Sequence, residues 1–174
     1  NKEDAYAAVV STINRVNEVF ETELGIHLEL VTGLDLIFPN VDTDPYTSDL
    51  NTQAQETLDE IFGAENYDLG HLFAYVNNGG NGNAGTVGSV CQNGIKGGAF
   101  SAHSFQGTAN DPHLNDHFDI DYVAHEIAHQ FGAFHTFSYN NEFEGFSSAP
   151  GSGSTKMGYA GTVGLDNVQL HSDP

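Results

Sequence analysis

The chain has 174 residues, with 4 basic side chains against 24 acidic ones and a formal charge of −20. That balance excludes a nucleic-acid binder and an anionic membrane surface as partners, because both need a basic face. The length suits one domain with a sizeable core, a monomer is expected, and no apolar run is long enough to cross a membrane. So large a negative charge makes the compact state repel itself, and added salt or bound cations should stabilise it. Cys91 is the single cysteine; it cannot close an internal disulfide and reads as a small buried apolar residue.

In chain order, residues 4–23 carry Val9, Ile13, Val16 and Phe20 at helical spacing, and Gly25 supplies a stop, which predicts an amphipathic helix. Ile26, Leu28 and Leu30 then alternate with His27 and Glu29, the pattern of a half-buried strand with His27 in solvent. Residues 34–38 read as a second strand closed by Pro39, and residues 42–49 as an acidic loop. Residues 48–62 predict a second helix with Leu50, Ala54, Leu58 and Ile61 turned inward. Residues 67–76 form a mostly apolar run suited to a central strand buried on both faces, with His71 as a hydrogen-bonded core histidine. Residues 77–86, rich in glycine and asparagine, predict a flexible loop. Short strands over 86–91 and 99–103 follow, joined through a turn at Asn93-Gly94.

Residues 105–118 make a polar loop holding His113 and His117, which lack metal-site spacing to each other, so no ligand role is expected of them. Asp111, Asp116, Asp119 and Asp121 precede the next helix, where acids suit the helix dipole. Calcium (Ca2+) binding among them is the rival reading. The following stretch reads DIDYVAHEIAHQFGAFH, with His125-Glu126-x-x-His129-x-x-Gly132-x-x-His135 at its centre. On a helix, His125 and His129 sit one above the other and can share one ion. Glu126, one residue on, can reach a water on that ion without binding it. Gly132, free to take a left-handed conformation, can end the helix and bring His135 round as a third ligand. Three imidazoles and one open position make a catalytic zinc site. Ile120, Val123, Ala124, Ile127 and Phe131 form an apolar stripe on another face of the same helix. Beyond His135 the chain turns irregular, with Tyr139, Asn140, Glu142, Glu144 and a Ser/Gly-rich segment.

The motif is that of the metzincin zinc endopeptidases. Downstream, Pro150-Gly-Ser-Gly-Ser-Thr-Lys-Met157-Gly-Tyr159-Ala-Gly resembles that superfamily's methionine turn. The chain as a whole resembles a bacterial branch of the reprolysin (adamalysin-like) group. Asn14-Arg-Val-Asn17, Asn66-Tyr-Asp-Leu-Gly-His71 and Phe118-Asp-Ile-Asp-Tyr-Val-Ala-His-Glu also carry this likeness, and only the zinc motif and methionine turn are specific. It implies an α+β (α/β) zincin-like fold: a twisted mixed sheet with backing and active-site helices over about residues 1–135, and a small irregular C-terminal subdomain over 136–174.

The resemblance further implies Zn2+ held by His125, His129 and His135, with Glu126 as general base for a zinc-activated water that hydrolyses peptide bonds. Met157 would floor the site, and Gly158, Tyr159 and Ala160 would line the pocket for the residue after the scissile bond. Tyr159 also stands where some metzincins place a tyrosine that approaches the zinc. A protein or peptide substrate would add as an extra strand to a sheet edge near Val87 and Val90 (residues 87–90). Secretion is implied by the resemblance; the acidic composition suits a salty extracellular habitat or simply solubility, and with no recognisable signal peptide or prosegment the chain reads as a mature catalytic domain. Ala128, Lys156 and Thr162-Val163 depart from the family's glycine, apolar residue and second cysteine. Two rivals stand beside this reading: a non-proteolytic zinc-binding adhesion or recognition module, and an aminopeptidase whose third ligand is a distant glutamate.

Overall fold

The computed structural model describes residues 1–31, 33–77, 79–104, 116–139 and 147–173. Helix α1 spans Lys2–Leu24; Asn1 caps it by accepting from the Asp4 N–H, and Gly25 closes it in a left-handed conformation. Ile13, Val16, Val19 and Phe20 form its inner stripe and pack on Phe118, Ile120, Val123, Ala124 and Ile127 of the later helix, with Met157 in the same cluster. Helix α1 and that later helix therefore share one core.

The predicted alternation after α1 holds in burial but not as a strand. Ile26, Leu28 and Leu30 are half-buried and His27 is exposed, yet the segment joins no sheet among the described residues. The Asn17 carboxamide takes the place of a neighbouring strand: it donates to the Leu28 carbonyl at 2.8 Å and accepts the Leu28 N–H at 2.7 Å. Residues 34–38 are also not a strand. Leu34–Leu36 coil into a 3₁₀ turn, because the Leu36 and Ile37 N–H groups bond back to Gly33 and Leu34.

Helix α2 spans Leu50–Ile61, capped by Asp49. Ala54 is buried as expected, but Ile61 is 44% exposed at the last turn, and Gln55 and Thr57 fill the inward face instead. Strand β1 (His71–Tyr75) pairs in parallel with β3 (Ala99–His103), and β2 (Gly80–Asn83) pairs antiparallel with β3. The sheet order is β1-β3-β2, so the central strand is β3, buried throughout, and β1 lies to one side. His71 is the core histidine that was expected: it meets Ser101 Oγ at 2.9 Å and Gln130 Oε1 at 3.3 Å. Burial holds its imidazole down at about 4, so it stays neutral.

Two loop assignments reverse. The Gly/Asn-rich segment expected to be a flexible loop supplies β2, while residues 86–91, expected to be a strand, form turns. In those turns the Gly88 and Val90 N–H groups bond the His129 and Gln130 carbonyls. Cys91 is exposed rather than buried. Its backbone takes a φ of +62° in a turn where its N–H donates to the Asp68 carbonyl, which aims the side chain outward. Among the described residues no helix is long and apolar enough to cross a membrane.

A π-helical stretch, Phe118–Ala124, runs directly into helix α3, His125–Gln130. The acids at and just before its start go to separate partners: Asp116 to Arg15 at 2.6 Å, Asp119 to the Thr12 hydroxyl at 2.7 Å, and Asp121 to His117 at 2.6 Å. They do not converge as a calcium cage would. Asp111 and His113 lie outside the described residues, as do Asn140, Glu142 and Glu144.

Candidate active site

Helix α3 ends as Gly132 allows. At φ +102°, a conformation that side-chain-bearing residues rarely adopt, Gly132 donates to the His129 carbonyl at 2.8 Å, and Ala133 donates to Ala128 at 3.0 Å. This is the paired closure of a Schellman motif, and it turns the chain back toward the helix.

His135 thereby meets His125 and His129. The three Nε2 atoms stand 3.0, 3.1 and 3.0 Å apart. The Nδ1 atom of His125 faces the Lys156 carbonyl, and that of His129 faces the Ala133 carbonyl at 2.7 Å. A carbonyl only accepts, so both Nδ1 atoms carry the hydrogen and both Nε2 atoms present lone pairs to each other. Lone pairs at this distance repel unless a cation or a donated hydrogen lies between them. A tetrahedral zinc with bonds of roughly 2.0–2.1 Å sets neighbouring nitrogens about 3.3 Å apart, close to the spacing seen. The residues present therefore fit such an ion. Burial first, then the neighbouring His129, pushes the His125 imidazole down to about 3, which keeps it in the neutral form a metal needs.

Glu126 is buried beside this trio. Burial pushes its carboxyl up to about 7, against an opposing hydrogen bond from the Ala84 N–H. The strand above it has to be thin. A Cβ on Gly82 would lie 2.4 Å from Glu126 Oε1, and one on Gly80 would lie 2.5 Å from the Tyr122 hydroxyl. Nothing in the composition of residues 77–86 pointed to the site, but the two-residue spacing of Gly80 and Gly82 is a legible signal for a bare strand face.

The C-terminal segment comes up from the other side. Thr136 N–H donates to the Met157 carbonyl at 3.1 Å, and Gly158 N–H closes a turn on Thr155 at 2.8 Å. Met157, Gly158 and Ala160 are buried and Tyr159 is half-buried. The Tyr159 ring lies 4.7 Å from that of His135 and 4.4 Å from that of Phe137, which itself stacks on His135 at 4.9 Å. Lys156, an odd residue beside a methionine turn, contributes through its backbone carbonyl, which orients His125. Gln130, missed by the sequence reading, anchors the helix: fully buried, it donates to the Gly70 and Lys96 carbonyls at 3.1 and 3.2 Å.

A family model described as metallo-peptidase family M12B, reprolysin-like, matches residues 2–170. No curated protein and no solved structure matches the chain.

Proposed function

The chain belongs to the reprolysin-like metallopeptidases of family M12B, and from that premise we propose that it is a zinc-dependent endopeptidase with His125, His129 and His135 as metal ligands and Glu126 as general base. The observation that carries the reading is the convergence of three Nε2 atoms within 3.1 Å of one another, with the lone pairs of His125 and His129 turned inward. When bound there, zinc would polarise the scissile carbonyl and acidify a water molecule.

The chain's own groups supply the rest. The Glu126 carboxylate, held by the Ala84 N–H, takes a proton from the attacking water and returns it to the departing amine nitrogen. Met157 floors the histidines, Gly158 and Ala160 wall the pocket beyond the scissile bond, and Tyr159 stands close enough to the ligands to meet a substrate oxygen. Residues 1–135 and 136–174 would act as the two sides of one cleft.

We place the substrate edge on a strand rather than at residues 87–90, which form turns here. The N–H groups of Gly88 and Val90 are already bonded to helix carbonyls, so they cannot add a peptide strand. β2, the outer strand over Glu126, is the edge that an extended protein or peptide substrate would lengthen. The family likeness and the strongly acidic composition support action outside the cell.

Peptide-library cleavage followed by mass spectrometry, run with and without a zinc chelator, tests this reading. Internal cleavages that vanish with chelator and return with zinc are expected. Trimming of N-terminal residues alone, or no cleavage with zinc bound, would replace it with the aminopeptidase or the non-proteolytic module. A second outcome concerns the strand: Gly82→Ala must displace Glu126 or lift β2, since the new Cβ meets three atoms of that side chain within 2.9 Å. Misplacement of about 1 Å costs on the order of 10²-fold, so kcat/KM should fall by at least about tenfold with zinc content unchanged. Parental kinetics would mean that Glu126 is not held where the mechanism needs it.

A further inference from the structure

A second set of donors meets at the entrance to the active-site helix. His117 and Asp121, one turn apart, have side chains only 11% and 10% exposed, with Nδ1 and Oδ2 2.6 Å apart. His171 arrives from the C-terminal tail and sets its own Nδ1 3.4 Å from His117 Nδ1 and 4.0 Å from Asp121 Oδ2. The three donor atoms thus lie within 4.0 Å of one another, and each can turn a lone pair on a shared cation.

We propose that His117, Asp121 and His171 form a second transition-metal site, of zinc type, that clamps the C-terminal tail to the start of the active-site helix. Two imidazoles and one carboxylate suit zinc and disfavour calcium or magnesium, which take oxygen ligands. Zinc bonds of roughly 2.0–2.2 Å place neighbouring donors about 3.3–3.6 Å apart, between the shortest and longest separations here. Binding would part His117 from Asp121 and draw in His171, which is 53% exposed on its tail.

The donors are oriented from behind, as metal ligands usually are. The second oxygen of Asp121 accepts the Ser172 N–H at 3.0 Å, and the His117 ring packs edge-on against Tyr122 at 5.4 Å. The tail continues to Asp173, whose N–H donates to the Ser154 carbonyl close before the methionine turn. An ion at this place would therefore join the helix start, the tail and the turn. The site shares no ligand with the trio, so it stands whether or not the chain is a protease.

The test strips the purified chain with chelator, reloads it with zinc alone, removes excess by gel filtration and counts bound metal. Two equivalents are expected in the parent, one in His171→Ala, one in the His125→Ala/His129→Ala double variant and none in the triple combination. Zinc should also raise the melting temperature of His171→Ala less than that of the parent. Should the double variant not fold, cobalt(II) titration of His171→Ala against the parent reads the same one-equivalent difference. The proposal is overturned if His171→Ala binds as much zinc as the parent, or if the parent binds one equivalent that the folded double variant loses. A double variant that binds as much as the parent would sink the reading of the trio instead.

Discussion

Glu126→Gln will lower kcat/KM on any cleaved peptide by about 10²–10⁴-fold, the range that a positioned general base contributes, and will leave zinc bound. The exchange keeps the shape of a buried side chain and a carbonyl oxygen for the Ala84 N–H, so helix α3 and β2 should stay in place. What disappears is a basic oxygen able to hold the water's proton and hand it to the leaving nitrogen. Burial already raises this carboxyl to about 7, so its affinity for that proton exceeds an ordinary glutamate's. Metal content measured beside the kinetics separates the roles, since on the proposed mechanism Glu126 would touch the reaction and not the ion. A variant that cleaves at near-parental rate would remove Glu126 from the mechanism.

The second large effect is His135→Ala. It should abolish measurable hydrolysis and weaken zinc binding by more than the ~10–100-fold that losing an outer-shell partner costs. Two nitrogens 3.1 Å apart on one helix would remain, too few to hold the ion against a mild chelator. The count is best made in a His171→Ala background, where zinc at the tail cannot be mistaken for zinc at the trio. Circular dichroism of the metal-free variants checks the fold, because the lost ring also stacks on Phe137 at 4.9 Å. If His135→Ala keeps the parental zinc affinity, the third ligand lies elsewhere and the aminopeptidase alternative with a distant glutamate revives.

Features legible from the sequence were local ones. A helical repeat of four residues superposes His125 on His129 whatever surrounds them, and a glycine that can turn left-handed gives the chain its exit toward His135. Helix α1 was legible because its apolar stripe repeats over many turns. The errors fell where neighbours decide. Residues 26–30 alternate as a strand does, yet the Asn17 side chain meets Leu28 in place of a strand partner. Residues 80–83 have almost no intrinsic strand preference, yet they pair with β3 because only glycine fits beneath Tyr122 and over Glu126. The valines at 87 and 90 sit in turns whose N–H groups close onto helix carbonyls.

The sequence by itself determined the spacing of His125, His129 and Gly132 along one helix, since that spacing is covalent information. Only the tertiary structure decided which strand overlies Glu126, which carbonyls set the imidazole tautomers, and that His171 comes to His117 and Asp121 from the far end of the chain. Those outcomes depend on contacts between segments distant in sequence, where packing and hydrogen-bond satisfaction across the fold outweigh local preference.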